Sequence, residues 1–321
     1  MPEKINLSAP AAEFINKLEK IATTPLYELS YKDARKFLDN LQTEYQTDEE
    51  YDVELVDKSI HTDTLGTINL RIIRPKDNRE KLPAILYFHG GGWILGGKHT
   101  HDKLIKRLAC DVKASVIFLD YPLSPEASYP TAINQGYALL DYISNNPEEF
   151  NINPEKIVLA GDSAGGNMAA VLAIKAKEGG RLKVKFQVLL YPVTDASMDS
   201  NSYSEFKNGP WLSKKAMEWF WDAYVPDKNL RNNYYISPLK ADIEVLRNLP
   251  PALIITAEND VLRDEGEAYA KKLQKAGVEV LSVRINGTMH DFMMLNSLAK
   301  TCQTDAAFLI TSEILKKVLY K

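Results

Sequence analysis

Serine, histidine and aspartate occur in this 321-residue chain in an order and a local setting that could carry out acyl transfer. Ile157-Val-Leu-Ala-Gly161-Asp-Ser163-Ala-Gly165-Gly166 reads as an apolar strand, a sharp turn and the start of a small-residue helix, and it contains G-x-S-x-G. The flanking positions are glycine because the turn is tight and a side chain there would strike neighbouring backbone. Such a turn lifts the Ser163 hydroxyl clear of a sheet, and the following helix supplies free N–H groups and a favourable dipole for a developing oxyanion. Upstream, Ala84-Ile-Leu-Tyr-Phe88 runs directly into His89-Gly90-Gly91-Gly92-Trp93. Consecutive glycines leave backbone N–H groups open to a ligand, so Gly91 and Gly92, with the N–H of Ala164, are expected to form an oxyanion hole. Each such donor contributes about 3 kcal/mol of transition-state stabilisation in enzymes where it has been removed. His89 is expected to hold the loop rather than act as a base.

The serine needs a base, and five histidines are available. His290, in Asn286-Gly-Thr-Met-His-Asp-Phe292, follows the last expected strand and would be presented at the end of a parallel sheet, where ligands bind in open α/β folds. His61 falls in an entry hairpin, and His99 and His101 precede a helix. All three read as surface or capping residues, and His99-x-His101 lacks a third ligand at metal-binding spacing. An orienting carboxylate should follow the preceding strand, where Asp260 is the first aspartate past Leu253-Ile-Ile-Thr256. Asp264 is better explained as a helix N-cap. The order Ser, Asp, His is that of α/β-hydrolases and differs from that of chymotrypsin-like and subtilisin-like enzymes.

The elements that must position these residues are short β-branched runs alternating with helical patterns, which predicts a mostly parallel eight-stranded sheet covered by helices. Expected strands are 53–60, 67–74, 84–88, 115–119, 157–160, 186–191, 252–256 and 278–285. The first two should pair as an antiparallel hairpin around Leu65-Gly66. Two segments break the rhythm. At the N-terminus Ala11, Phe14, Ile15, Leu18 and Ile21 share a helical face, and a second helical pattern runs through Leu41. A long connection, from about Asp195 to Tyr235, carries Trp211, Trp219 and Trp221. Within it Ser213 can cap a helix with Met217, Phe220, Trp221 and Tyr224 on one face. Residues 1–50 and 195–240 are expected to form a helical cap over a core made of 51–194 and 241–321. Two readings of the aromatic stripe stay open: it lines a substrate pocket, or it only fastens the insertion to the core. Trp93 and Asp162, beside the two motifs, and Trp211 and Leu212 in the insertion are expected to contact substrate.

Composition bounds the function. An apolar share of 45% and a charged share of 26% suit a globular protein with a sizeable core. A net charge of −4 provides no field for a polyphosphate backbone, so nucleic acid is not expected as a partner. The opening MPEKINLSAP has no apolar core followed by a small-residue cleavage site, and no apolar run is long enough to cross a bilayer. A cytoplasmic protein with no stable membrane insertion is the expectation. Cys110 and Cys302, each in a helical pattern, are expected to be reduced and half-buried, with neither a disulfide nor a metal site.

With these blocks in place, the sequence resembles the hormone-sensitive-lipase-like carboxylesterases and acetyl-esterases, the bacterial family IV enzymes, over nearly its whole length. The carriers are His89-Gly-Gly-Gly-Trp93, Gly161-Asp-Ser-Ala-Gly165-Gly166, Asp260-Val-Leu-Arg-Asp264-Glu265 and His290-Asp-Phe292. The resemblance implies an α/β-hydrolase fold and cofactor-free hydrolysis of small esters of short to medium acyl chains, with a homodimer left open. It leaves amide, formamide and lactone substrates as alternatives, and a non-catalytic ligand receptor on the same fold as a further one. Two positions depart from the family pattern. Pro122 and Ser124 stand where arginine and alanine are usual, so any ion pair made by that arginine is lost. Asp291 stands where glycine commonly follows the histidine, placing an extra carboxylate beside His290.

Overall fold

The computed structural model describes residues 5–45 and 51–320, so the expected N-terminal cap segment lies partly outside the described residues. The chain opens with α1 (Ala9–Ile21) and α2 (Tyr31–Glu44) and passes through β1 (Val53–Thr62) and β2 (Gly66–Pro75). It then alternates through β3 (Leu82–Phe88), α3 (Asp102–Val112), β4 (Ser115–Asp120), α4 (Thr131–Asn145), α5 (Pro147–Phe150), β5 (Ile152–Asp162), α6 (Ala164–Gly179) and β6 (Phe186–Leu190). The long connection holds α7 (Asn201–Glu205), α8 (Lys214–Tyr224) and α9 (Ile243–Leu246). The chain ends with β7 (Ala252–Asn259), α10 (Arg263–Lys275), β8 (Val280–Met289) and α11 (Cys302–Tyr320).

The strands form one eight-stranded sheet in the order β1-β2-β4-β3-β5-β6-β7-β8. β1 with β2 and β2 with β4 are antiparallel, and every other pair is parallel. The entry hairpin turns at Leu65-Gly66 as its sequence predicts. β3, β4 and β6 are mostly apolar and buried because helices cover both faces, and every β3 residue from Leu82 to Phe88 is buried. Strand ends differ from expectation where polar residues continue the pairing. β5 begins at Ile152, ahead of Asn153-Pro154-Glu155, and β8 continues through Asn286-Gly287 to Met289, which brings His290 to the strand's very end.

The two segments outside the alternation meet over the carboxyl ends of the strands. Ser213 accepts the Ala216 N–H at 3.2 Å and so starts α8, which buries Met217, Phe220, Trp221 and Tyr224. Phe14 of α1 packs on Trp211 with ring centres 5.7 Å apart, and Tyr31 of α2 stacks on Trp219 at 5.3 Å. The amphipathic face of α1 is shorter than predicted: Ala11 and Phe14 are buried, whereas Ile21 is 56% exposed because the helix end runs past the core.

Arg35 of α2 fastens this layer to the core. Its guanidinium donates to the Ile94 carbonyl at 2.8 Å and the Ser124 carbonyl at 2.9 Å, and forms a two-pronged pair with Glu126. Pro122 makes no ion pair, and Glu126 instead receives an arginine from 91 positions upstream. The same hydrogen bonds hold the Glu126 carboxyl down to about 2. Replacing Arg35 with alanine strips donors from carbonyls of two buried residues, a loss of about 1–3 kcal/mol. In thermal unfolding, Arg35→Ala should lower Tm by roughly 3–6 °C and increase proteolysis within residues 5–45. An unchanged Tm would refute this role.

Candidate functional site

Ser163 lies between β5 and α6 with φ 51 and ψ −118, a conformation forced on a non-glycine residue by the tight turn. Its N–H donates to the Leu190 carbonyl at 2.9 Å, and its carbonyl accepts from Val193 at 3.1 Å, so β6 holds the turn from one side. The close approach explains Gly165: a Cβ there would lie 1.9 Å from the Phe88 carbonyl oxygen.

From this serine a hydrogen-bonded line runs inward. Ser163 Oγ is 2.9 Å from His290 Nε2, and His290 Nδ1 is 2.7 Å from Asp260 Oδ2. Asp260 Oδ1 accepts the Leu262 N–H at 2.9 Å, which fixes the carboxylate plane. All three residues are buried, and the Tyr191 ring stands edge-on to the imidazole at 5.0 Å. Asp264 is not an N-cap: it sits inside the first turn of α10, accepts the Ser202 N–H at 2.8 Å and pairs with Arg263.

Gly91 and Gly92 face the same space as Ser163, and among the described residues their N–H groups meet no protein acceptor. Ala164 is the first residue of α6, where an N–H has no partner within the helix. Gly92 adopts φ +60 beneath the Phe220 ring, and a Cβ would come within 2.2 Å of that ring, so loop and α8 are fitted to each other. The cavity over these groups measures about 430 Å³. Leu18, Tyr27, Phe37, Trp211, Leu212 and Phe220 supply its apolar walls, so the aromatic stripe both lines the cavity and anchors the insertion.

Two expected substrate contacts lie elsewhere. Trp93 is buried and stacks on Tyr224 at 4.0 Å, fastening the glycine loop to α8. Asp162 points away from the cavity, where its Oδ1 accepts Tyr87 Oη–H at 2.7 Å and the Gly90 N–H at 3.1 Å, and its Oδ2 lies 3.1 Å from His101 Nε2. Burial alone would raise the Asp162 pKa, but His101 and these hydrogen bonds outweigh it and lower it. His101, expected at the surface, is thus buried in a pair with Asp162, and it diverges from the exposed His99. His89 contacts the Gly90 carbonyl at 2.8 Å and stacks on Tyr121, and burial depresses its pKa to about 3, so it holds the loop as a neutral ring. His61 is exposed, beside Thr67. Cys110 is half-buried and Cys302 exposed, both unpaired. Glu265, whose pKa burial pushes up, accepts the N–H groups of Thr194 and Asp195 at 2.5 and 3.2 Å and pins the start of the long connection. Its acidic neighbours in sequence gave no hint of that role.

Asp291 adds the feature that distinguishes this site. Its Oδ1 lies 3.3 Å from His290 Nε2, and its Oδ2 accepts the Trp211 indole N–H at 2.8 Å. Burial lowers an imidazole pKa, but here the charges of Asp260 and Asp291 and the Asp260 hydrogen bond more than offset it, carrying His290 up to about 9.

A family model described as the α/β-hydrolase fold matches residues 85–294. Carboxylesterase NlhH of Mycobacterium tuberculosis is 38% identical over 71% of this chain and 72% of its own. An ethyl acetate hydrolase of Pseudomonas putida is 34% identical over 82% of each. The crystal structure of a thermostable esterase from Pseudomonas putida superposes with a TM-score of 0.96 at 43% identity, covering 98% of each chain.

Only neutral imidazole can accept a proton, so kcat/KM should fall about tenfold per pH unit below an apparent pKa near 9. Asp291→Asn removes one of the charges that raise it, and the limb should move to lower pH. Limbs coinciding at the ordinary imidazole value in both proteins would overturn this assignment.

Proposed function

The chain belongs to the α/β-hydrolase family, in its hormone-sensitive-lipase-like branch, and is a serine carboxylesterase; from that premise we propose that Ser163 is its nucleophile, His290 its general base and Asp260 the group that orients the base. What supports the assignment most is the unbroken line Ser163 Oγ, His290 Nε2, His290 Nδ1, Asp260 Oδ2, with links of 2.9 and 2.7 Å.

In this mechanism Ser163 Oγ attacks the ester carbonyl carbon as His290 Nε2 takes its proton. The carbonyl oxygen becomes an oxyanion and accepts hydrogen bonds from the N–H groups of Gly91, Gly92 and Ala164, which are already in place and need no reorganisation. As the tetrahedral centre collapses, the bond to the alkoxy oxygen breaks and His290 passes its proton to that oxygen, releasing the alcohol. Water then repeats the sequence on the acyl-enzyme and frees the acid. Asp260 keeps Nδ1 protonated and stabilises the imidazolium at each step.

Short acyl chains form part of the proposal. A space of about 430 Å³ walled by Tyr27, Phe37, Trp211 and Phe220 accommodates a small ester, and one relative bears the name ethyl acetate hydrolase. A cytoplasmic location suits the two unpaired cysteines, and no helix among the described residues is long and apolar enough to cross a membrane.

Purified protein should hydrolyse p-nitrophenyl acetate and butyrate, and Ser163→Ala should lower kcat by about 10⁴-fold or more. An undiminished rate in that variant would end the assignment of the nucleophile. In a series from acetate to laurate, kcat/KM should peak at short chains; a peak at ten or more carbons would contradict the proposed pocket.

A further inference from the structure

The proton acceptor in the collapse of the first tetrahedral centre fixes where the alcohol portion of a substrate must lie. His290 Nε2 has to come within about 2.6–3.2 Å of the alkoxy oxygen to protonate it. Asp291 Oδ1 is 3.3 Å from that same nitrogen, so the first atoms beyond the alkoxy oxygen pass beside this carboxylate. Oδ2 is held by Trp211, whereas Oδ1 is buried and has no hydrogen-bond donor among the described residues. A buried carboxylate oxygen without a donor is costly, and a ligand that brings one recovers that cost.

Charge favours the same occupant. Among the described residues Asp291 is the only carboxylate lining the cavity, and the two lysines along its wall, Lys207 and Lys215, have exposed side chains and form no ion pair with it. The reactive enzyme carries a neutral imidazole, and in that state a ligand cation favours the charged form of Asp291, whose carboxyl pKa burial pushes up. Trp211, anchored by its own N–H to the same carboxylate, also forms the adjoining wall, and its ring adds attraction for a cation.

Resting on the esterase reading above, we propose that Asp291 and Trp211 form a cation subsite on the alcohol side of the cavity, and that the enzyme prefers esters of protonated amino alcohols to uncharged esters of the same shape. The bonds made and broken are those of ordinary ester hydrolysis. The ammonium group stays on the departing alcohol, where its N–H donates to Asp291 Oδ1.

2-(Dimethylamino)ethyl acetate, which holds its proton near neutral pH, and 3-methylbutyl acetate differ only in N–H⁺ against C–H. We expect kcat/KM for the ammonium ester to exceed that for its carbon analogue by about tenfold or more, and Asp291→Asn to bring the ratio close to one. Both esters use the same His290, so any change in imidazole basicity cancels in the ratio. A ratio that is the same in native protein and variant overturns the proposal. Should the variant not fold, the native enzyme decides: protonated 2-(dimethylamino)ethanol should inhibit p-nitrophenyl acetate hydrolysis competitively at about tenfold lower concentration than 3-methylbutanol, and equal or weaker inhibition overturns the proposal. Hydrolysis of the carbon analogue that persists in Ser163→Ala would instead defeat the esterase mechanism, whereas Ser163-dependent hydrolysis with a flat ratio defeats only the cation subsite.

Discussion

Three donors from three separate elements converge on one carboxylate that has no solvent contact. Tyr87 comes from β3, the Gly90 N–H from the glycine loop and His101 from the start of α3, and all reach Asp162 at the end of β5. A buried carboxylate is tolerated only when such partners surround it, and removing one leaves an uncompensated charge. Because Asp162 directly precedes Ser163, the same contacts set how far the oxyanion donors stand from the nucleophile. A Cβ at Gly90 would lie 2.3 Å from Asp162 Oδ2, so the loop has no room to drift in that direction. The proposed oxyanion donors Gly91 and Gly92 follow β3 and the serine follows β5, and this polar node keeps them in register beyond the point where sheet hydrogen bonds end.

The electrostatics of the imidazole follow from two carboxylates with different duties. Asp260 meets Nδ1 at 2.7 Å, where it selects the tautomer that leaves Nε2 free to accept a proton. Asp291 approaches Nε2 itself and so acts on the nitrogen that exchanges protons with substrate. Both favour the imidazolium before turnover begins as well as during it. The cost is a smaller fraction of reactive enzyme near neutral pH, and the proposed compensation is a substrate cation that shares the charge.

Much of the fold could be read from the sequence because its signals are local. Strand positions follow β-branched runs, the entry hairpin follows Leu65-Gly66, and the α8 boundary follows Ser213 and the apolar positions after it. The convergence of Ser163, Asp260 and His290 was also legible, since each directly follows a strand that the sheet order brings close. The misread residues share another property: their roles depend on partners far away in sequence. Asp162 and Trp93 sit beside catalytic motifs and so suggested substrate contact, but one is held by His101 and the other covered by Tyr224. His101 occupies an N-cap position, which suggests solvent, yet its ring turns inward to a carboxylate 61 residues on. Arg35 carried no signal, because nothing near it in the chain reveals the two carbonyls and the carboxylate it meets.

The groups proposed to perform the reaction lie within residues 85–294, the stretch matched by the family model. Yet part of the cavity wall, including Leu18, Tyr27 and Phe37, comes from the helical layer that precedes the sheet, which Arg35, Gln42 and aromatic packing on the insertion hold in place. The reacting groups thus sit at the strand ends, whereas the cavity wall is shared between that portion of the polypeptide and the N-terminal layer. A lineage could remodel what enters by exchanging the first forty or so residues, leaving the strands that carry the reacting groups untouched.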